Sequence, residues 1–126
     1  MRAVDTNVIV RIITGDTRTQ AAAADSFIEG GAWVPLAAVL ETAWVLAANY
    51  SFSPERVAQA IDMLLSHRNL VVEDGELVQA ALAAFREKPT IQFADALILE
   101  TAKRAGHLPL GTFDKKLATR KGTVRL

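Results

Sequence analysis

Four carboxylates in this chain stand in apolar surroundings, where a charge is expensive. Asp5 closes the opening Met1-Arg2-Ala3-Val4, and Glu41 interrupts the apolar run from Leu36 to Ala48. Asp95 lies inside Phe93-Ala94-Asp95-Ala96-Leu97-Ile98-Leu99, and Asp114 ends Leu108-Pro109-Leu110-Gly111-Thr112-Phe113-Asp114. An ionised carboxylate taken out of water must be paired, neutralised or metal-bound. No Lys or Arg lies near Glu41 in sequence. A divalent cation answers for all four carboxylates at once. Mg²⁺ and Mn²⁺ prefer oxygen ligands, and two such ions about 4 Å apart can activate water and stabilise the leaving oxygen of a phosphodiester. With no Cys and no sequence-adjacent His pair, the set does not suit zinc.

Each carboxylate also has a plain structural reading. Asp is a good N-cap, so at Asp5 cap and metal ligand weigh equally, and one residue can serve as both. Thr6 and Asn7 beside it can orient the carboxylate or a bound water. Glu41 has Ala37, Ala38, Trp44, Val45 and Ala48 as same-face neighbours, which predicts a helix buried all round and favours function there. Asp95 faces Ile98, Leu99 and Ala102, with a minor alternative as N-cap of a helix starting at Ala96. Asp114 alone reads as a turn or cap residue before Lys115-Lys116-Leu117, with Thr112 in reach of the same place. His67 and His107 fall at predicted helix ends and read as caps. Trp33, Trp44, Phe93 and Phe113 lie in apolar runs and read as core. Nucleotide-binding glycine loops, a Gly-x-Ser-x-Gly elbow and a Cys nucleophile are all absent.

The elements that must position these groups alternate between strand and helix. Ala3-Val4 reads as a short strand, Asn7 to Ile13 as a helix stopped near Gly15, and Thr17 to Glu29 as a helix closed by Gly30-Gly31. Ala32 to Val34 is a strand ended by Pro35, and Leu36 to Tyr50 is a helix. Ser53-Pro54-Glu55 starts another helix, an N-cap followed by Pro at the first helical position, running to about Ser66. Leu70 to Val72 is a strand, Gly75 to Arg86 a helix, and Lys88-Pro89 a break. Gln92 to Ala105 is a helix capped by Gly106. Leu108 to Gly111 is a strand, Lys115 to Ala118 a helical turn and Thr123 to Leu126 an edge strand. This order predicts an α/β fold with a mostly parallel sheet covered on both faces. Ligands of such sheets bind beyond the carboxyl ends of the strands, where Asp5 and Asp114 fall.

At 126 residues, one domain spanning 1–126 is expected. The absence of Cys excludes a disulfide framework and suits a reducing, cytoplasmic setting. No signal peptide is expected, since Asp5 breaks the N-terminal run, and Leu36 to Ala48 is too short to span a membrane. Net charge is zero but unevenly spread. Met1 to Asp62 holds four bases and seven acids, a net of −3; Arg86 to Leu126 holds nine bases and four acids, a net of +5. A basic C-terminal third suits a polyanionic substrate, with Lys88, Lys115, Lys116, Arg120 and Lys121 as candidate phosphate contacts.

Asp5-Thr6-Asn7, Glu41 in a helix, Phe93-Ala94-Asp95-Ala96-Leu97-Ile98 and Thr112-Phe113-Asp114 together resemble the PIN domain, most closely VapC-type toxins of toxin–antitoxin pairs. The resemblance covers essentially the whole chain. It implies a three-layer α/β/α sandwich and an Mg²⁺- or Mn²⁺-dependent ribonuclease. Asp5, Glu41, Asp95 and Asp114 match the acidic quartet, Thr112 the late Ser or Thr, and Asn7 the polar neighbour of the first Asp. It also implies an RNA substrate, a homodimer and a small antitoxin whose tail enters the active site. Two readings compete. A receiver-like signalling module would be phosphorylated on Asp74, after Leu70-Val71-Val72-Glu73. A non-catalytic RNA-binding or scaffold protein would use the carboxylates only as caps.

Overall fold

Local signals decide where the helices begin. The Arg56 N–H donates to Ser53 Oγ at 3.2 Å and Pro54 takes the first helical position, so α4 spans Pro54–Ser66 as expected. The computed structural model describes residues 1–126, which divide into two compact units, Met1–Gly75 and Glu76–Leu126.

The first unit runs β1 (Arg2–Ala3), α1 (Thr6–Thr14), α2 (Arg18–Ile28), β2 (Ala32–Val34), α3 (Leu36–Asn49), α4 and β3 (Leu70–Val72). Its three strands are parallel, in the order β1-β2-β3, with Arg2 opposite Ala32 and Ala32 opposite Leu70. Helices intervene between successive strands, as parallel pairing requires. Ile9, Val10, Ile28, Val34, Val39, Leu46, Ile61 and Leu64 form its fully buried centre. Pro35 precedes α3 and has no side chain able to cap it. Glu73, just past β3, does so instead, its Oε1 accepting the Leu36 N–H at 2.8 Å. Arg11, Gln20, Asp16 and Tyr50 tie α1, α2 and the end of α3 together, with Arg11 Nε donating to Gln20 at 2.6 Å and Tyr50 to Asp16 at 2.7 Å. The Tyr50 hydroxyl is the main cause that holds the Asp16 carboxyl below its usual range.

The second unit runs α5 (Gly75–Glu87), α6 (Phe93–Ala105), β4 (Leu110–Thr112), a 3₁₀ turn (Leu117–Thr119) and β5 (Thr123–Arg125). β4 and β5 pair in parallel, Leu110 opposite Thr123. Ile91, Leu99 and Leu117 pack together with Leu110 against them, and Phe85 meets Phe93 edge to face at 6.0 Å. Gly106 takes the left-handed conformation expected of a helix C-cap, φ 80°.

Several boundaries differ from expectation. β1 lies one residue earlier than Ala3-Val4. β4 begins at Leu110, not Leu108, because Pro109 has no N–H to give to a ladder; the first rung is Leu110 N–H to Gly122 O at 2.9 Å. The final helical turn is Leu117–Thr119, two residues after its expected start. Of the aromatic residues expected in the core, only Phe93 is buried. Trp33, Trp44 and Phe113 are 37%, 61% and 80% exposed. Apolar neighbours in sequence do not guarantee burial, since most of a protein's surface is itself apolar. No helix is long and apolar enough to cross a membrane.

Candidate functional site

Asp5 follows β1 directly and caps α1. Its Oδ1 accepts the Val8 N–H at 3.1 Å, and its backbone is extended, as a cap requires. Thr6, the first residue of the helix, donates through Oγ1 to Glu41 Oε1 at 2.5 Å. That short bond joins α1 to α3 and aims Glu41 toward the same opening as Asp5. The opening is a groove of about 490 Å³ lined by Ala3, Val4, Asp5, Thr6, Pro35, Ala37, Ala38 and Glu41. It lies beyond the carboxyl ends of β1 and β2, where parallel sheets place their ligands.

Glu41 is not buried, contrary to the expectation from its neighbours. α3 turns Ala38, Val39, Thr42, Ala43 and Leu46 into the core. Its other face, Ala37, Glu41, Trp44 and Ala48, is exposed. A helix apolar all round is therefore half open here, and Glu41 owes its place to Thr6 and the groove rather than to desolvation. Asp5 and Asp114 are exposed as well, so the cost of burial argues for none of these three.

Asp95 is the exception. It is half-buried in the first turn of α6, where the positive end of the helix favours an acid. The helix starts at Phe93 with Gln92 as its N-cap, which rules out the capping role that the sequence allows for Asp95. Burial pushes its carboxyl above the usual range, and the charge of Asp114 pushes it further. These two carboxylates are thus close enough to repel. Asp114 follows β4 and closes a turn, with Oδ1 accepting the Lys116 and Leu117 N–H groups at 2.7 and 3.2 Å. Its own N–H donates to Thr112 Oγ1 at 3.0 Å, so Thr112 shapes the turn that carries it.

The predicted residues accordingly come together as two pairs, Asp5 with Glu41 in the first unit and Asp95 with Asp114 in the second. No three carboxylate or imidazole groups form a ready-made metal cage. Mg²⁺ does not need one, since it keeps several waters and uses one or two carboxylates beside substrate phosphates. Each pair offers only oxygen ligands, which fits such an ion. Asn7 is exposed and does not line the groove, and the Thr6 hydroxyl bonds Glu41 rather than Asp5. Among the candidate phosphate contacts, Lys88 donates to Thr119 and Arg120 pairs with Glu87 at 3.0 Å. Lys115, Lys116 and Lys121 are exposed. The Glu73 cap is not foreseen from sequence, because Glu73 lies 37 residues from the Leu36 N–H that it accepts. His67 does lie at a helix end, its Nδ1 accepting the Asn69 N–H at 3.1 Å.

A PIN-domain profile matches residues 2–122, so the chain belongs to the PIN domain family. PIN domains are generally divalent-metal-dependent nucleases that act on RNA or DNA, a class of hydrolase. Comparison with curated proteins and with solved structures gave no match. The receiver-like alternative fails on topology. Its sheet would place the first strand between the second and third, whereas here β2 is central. Asp74 is instead an exposed turn residue with φ 51°, a conformation Asp tolerates.

Proposed function

We propose that this chain is an Mg²⁺- or Mn²⁺-dependent endoribonuclease, the toxin of a VapBC-type toxin–antitoxin pair. The observation that carries the reading is Asp95, a half-buried carboxyl raised by burial and by Asp114, within a PIN domain. Asp5, Glu41, Asp95 and Asp114 would hold the cation. Bound there, it would supply Lewis-acid charge at the scissile phosphodiester. Asp5 and Asp114 each spend Oδ1 on backbone N–H groups, which fixes the direction of the carboxylate before any ligand arrives. Thr6 does the same for Glu41. Thr112 holds the Asp114 turn.

A polyanionic substrate is favoured by the charge of the second unit. Glu76–Leu126 holds nine bases and five acids, against five bases and nine acids in Met1–Gly75. The toxin role, the homodimer, the small antitoxin and a cytoplasmic setting rest on the resemblance to VapC-type chains. A neighbouring reading frame for a small protein with a DNA-binding N-terminus would support them. One observation favours the non-catalytic alternative: Asp5 and Asp114 do cap backbone N–H groups. Capping does not account for Glu41 or Asp95.

The test is RNA cleavage by the purified chain with Mg²⁺, with Mn²⁺ and with EDTA. Cleavage with either metal and none with EDTA is expected. Equal cleavage in EDTA would sink the metal-dependent mechanism. Cleavage of DNA alone would correct the substrate. No cleavage of either would leave the capping reading.

A further inference from the structure

Phe113 sits between Thr112 and Asp114 and is among the most exposed apolar residues of the protein, at 80%. A Phe at the end of an apolar run ordinarily gains from burial. This one is held out by its turn. Asp114 N–H bonds Thr112, and Lys116 and Leu117 N–H bond Asp114, so the backbone on its C-terminal side is pinned by three hydrogen bonds. The ring meets no aromatic or cationic partner, whereas Phe27 and Phe52 each carry an arginine at 3.8 and 3.9 Å. Its chain neighbours are a carboxylate that repels Asp95 and the exposed cations Lys115 and Lys116.

Resting on the nuclease reading above, we propose that Phe113 is a stacking platform for an unpaired base of a single-stranded RNA substrate. An exposed π-face beside cations is the combination single-strand binders use, the ring taking a base and the cations the adjoining phosphates. Paired bases are stacked on their neighbours and offer only edges, so the platform selects single strands. The other exposed aromatics lack the cationic half. Trp44 shares its helix face with Ala37, Glu41 and Ala48, and Trp33 is in register with Ala3 and Val71. Phe113 thus places a base next to Asp114 and gives the site a means of holding substrate independent of the metal.

The test compares wild type with Phe113→Ala, Phe113→Leu and Phe113→Trp, each checked for folding by thermal melting. The probe is a short fluorescein-labelled single-stranded RNA, bound in EDTA and cleaved in Mn²⁺, beside a duplex of the same sequence. Phe113→Ala and Phe113→Leu should weaken single-strand binding by about 5- to 100-fold and raise KM in step. Their salt dependence should match wild type, because the cations that neutralise phosphates remain in place. Phe113→Trp should bind at least as well as wild type, and all four proteins should bind the duplex alike. Unchanged affinity of Phe113→Ala while wild type still cuts RNA would overturn the platform and leave the nuclease reading standing. Equal binding by Phe113→Leu and wild type would overturn it too, since a leucine has no π-face. Unchanged RNA affinity with a lighter sedimenting species would assign the ring to a protein contact instead. A wild type that neither binds nor cuts RNA would remove both.

Discussion

The fold raises the proton affinity of Asp95, through burial first and the Asp114 charge second. The sign of its effect on stability follows. Unfolded, Asp titrates near about 3.9; folded, Asp95 titrates higher, so just above that pH the native state holds the extra proton. Stability therefore falls as pH rises through this window, and at neutral pH the charged form carries the full penalty. Asp95→Asn should melt above wild type at pH 7 without metal, with the gap closing as pH drops below about 3.9. A mutant that melts below wild type at pH 7, or a gap constant across pH, would contradict this. At this scale the sequence is a partial guide. The four acids can be picked out because each interrupts an apolar run. Burial, the physical reason those runs suggest, holds only for Asp95. For Glu41 it fails because an all-apolar helix does not say which of its faces is covered.

α3 shows what an element adds to its residues. Its start is capped by Glu73 from beyond β3, and its buried face includes Thr42, fully buried with an Oγ1 that has no hydrogen-bond partner. An orphaned buried hydroxyl costs about 1–3 kcal/mol. Thr42→Val keeps the shape and removes that group, so it should raise the unfolding free energy by about 1 kcal/mol. Urea denaturation checks this, and a lower midpoint would contradict it. Helices are the most legible elements because their signals are local: Ser53-Pro54 at the start of α4, Gly106 at the end of α6, Gly15 after α1. Strand bounds are less so, since Leu108 and Pro109 look like strand in composition while the ladder needs donors that Pro lacks. The order β1-β2-β3 is not legible at all, because pairing between distant segments leaves no local trace. The exposure of Phe113 is likewise hidden in the sequence, since it depends on the backbone bonds of the turn Thr112-Phe113-Asp114.

For the molecule as a whole, the charge division coincides with the structural one, the unit Glu76–Leu126 being basic and Met1–Gly75 acidic. Lys115 and Lys116 are exposed within the basic unit, whereas Lys88 and Arg120 already have partners. A Lys115→Ala, Lys116→Ala double mutant should bind RNA more weakly whatever its sequence. Its salt slope should fall by about 0.7 for each phosphate of a single strand that the pair neutralises. An unchanged slope would exclude the pair from the RNA surface. Metal-dependent cleavage and helix capping make opposite demands at Asp5, where both roles meet. Asn caps a helix about as well as Asp, so Asp5→Asn should unfold within about 0.5 kcal/mol of wild type. It removes an anionic ligand, however, and loss of even an outer-sphere partner can cost about 10- to 100-fold in activity. The measurement is RNA cleavage in Mn²⁺ beside thermal melting, on wild type and Asp5→Asn. The mutant should be folded and cleave at least about 100-fold more slowly. A folded Asp5→Asn that cuts RNA at the wild-type rate would contradict a metal-holding role for Asp5.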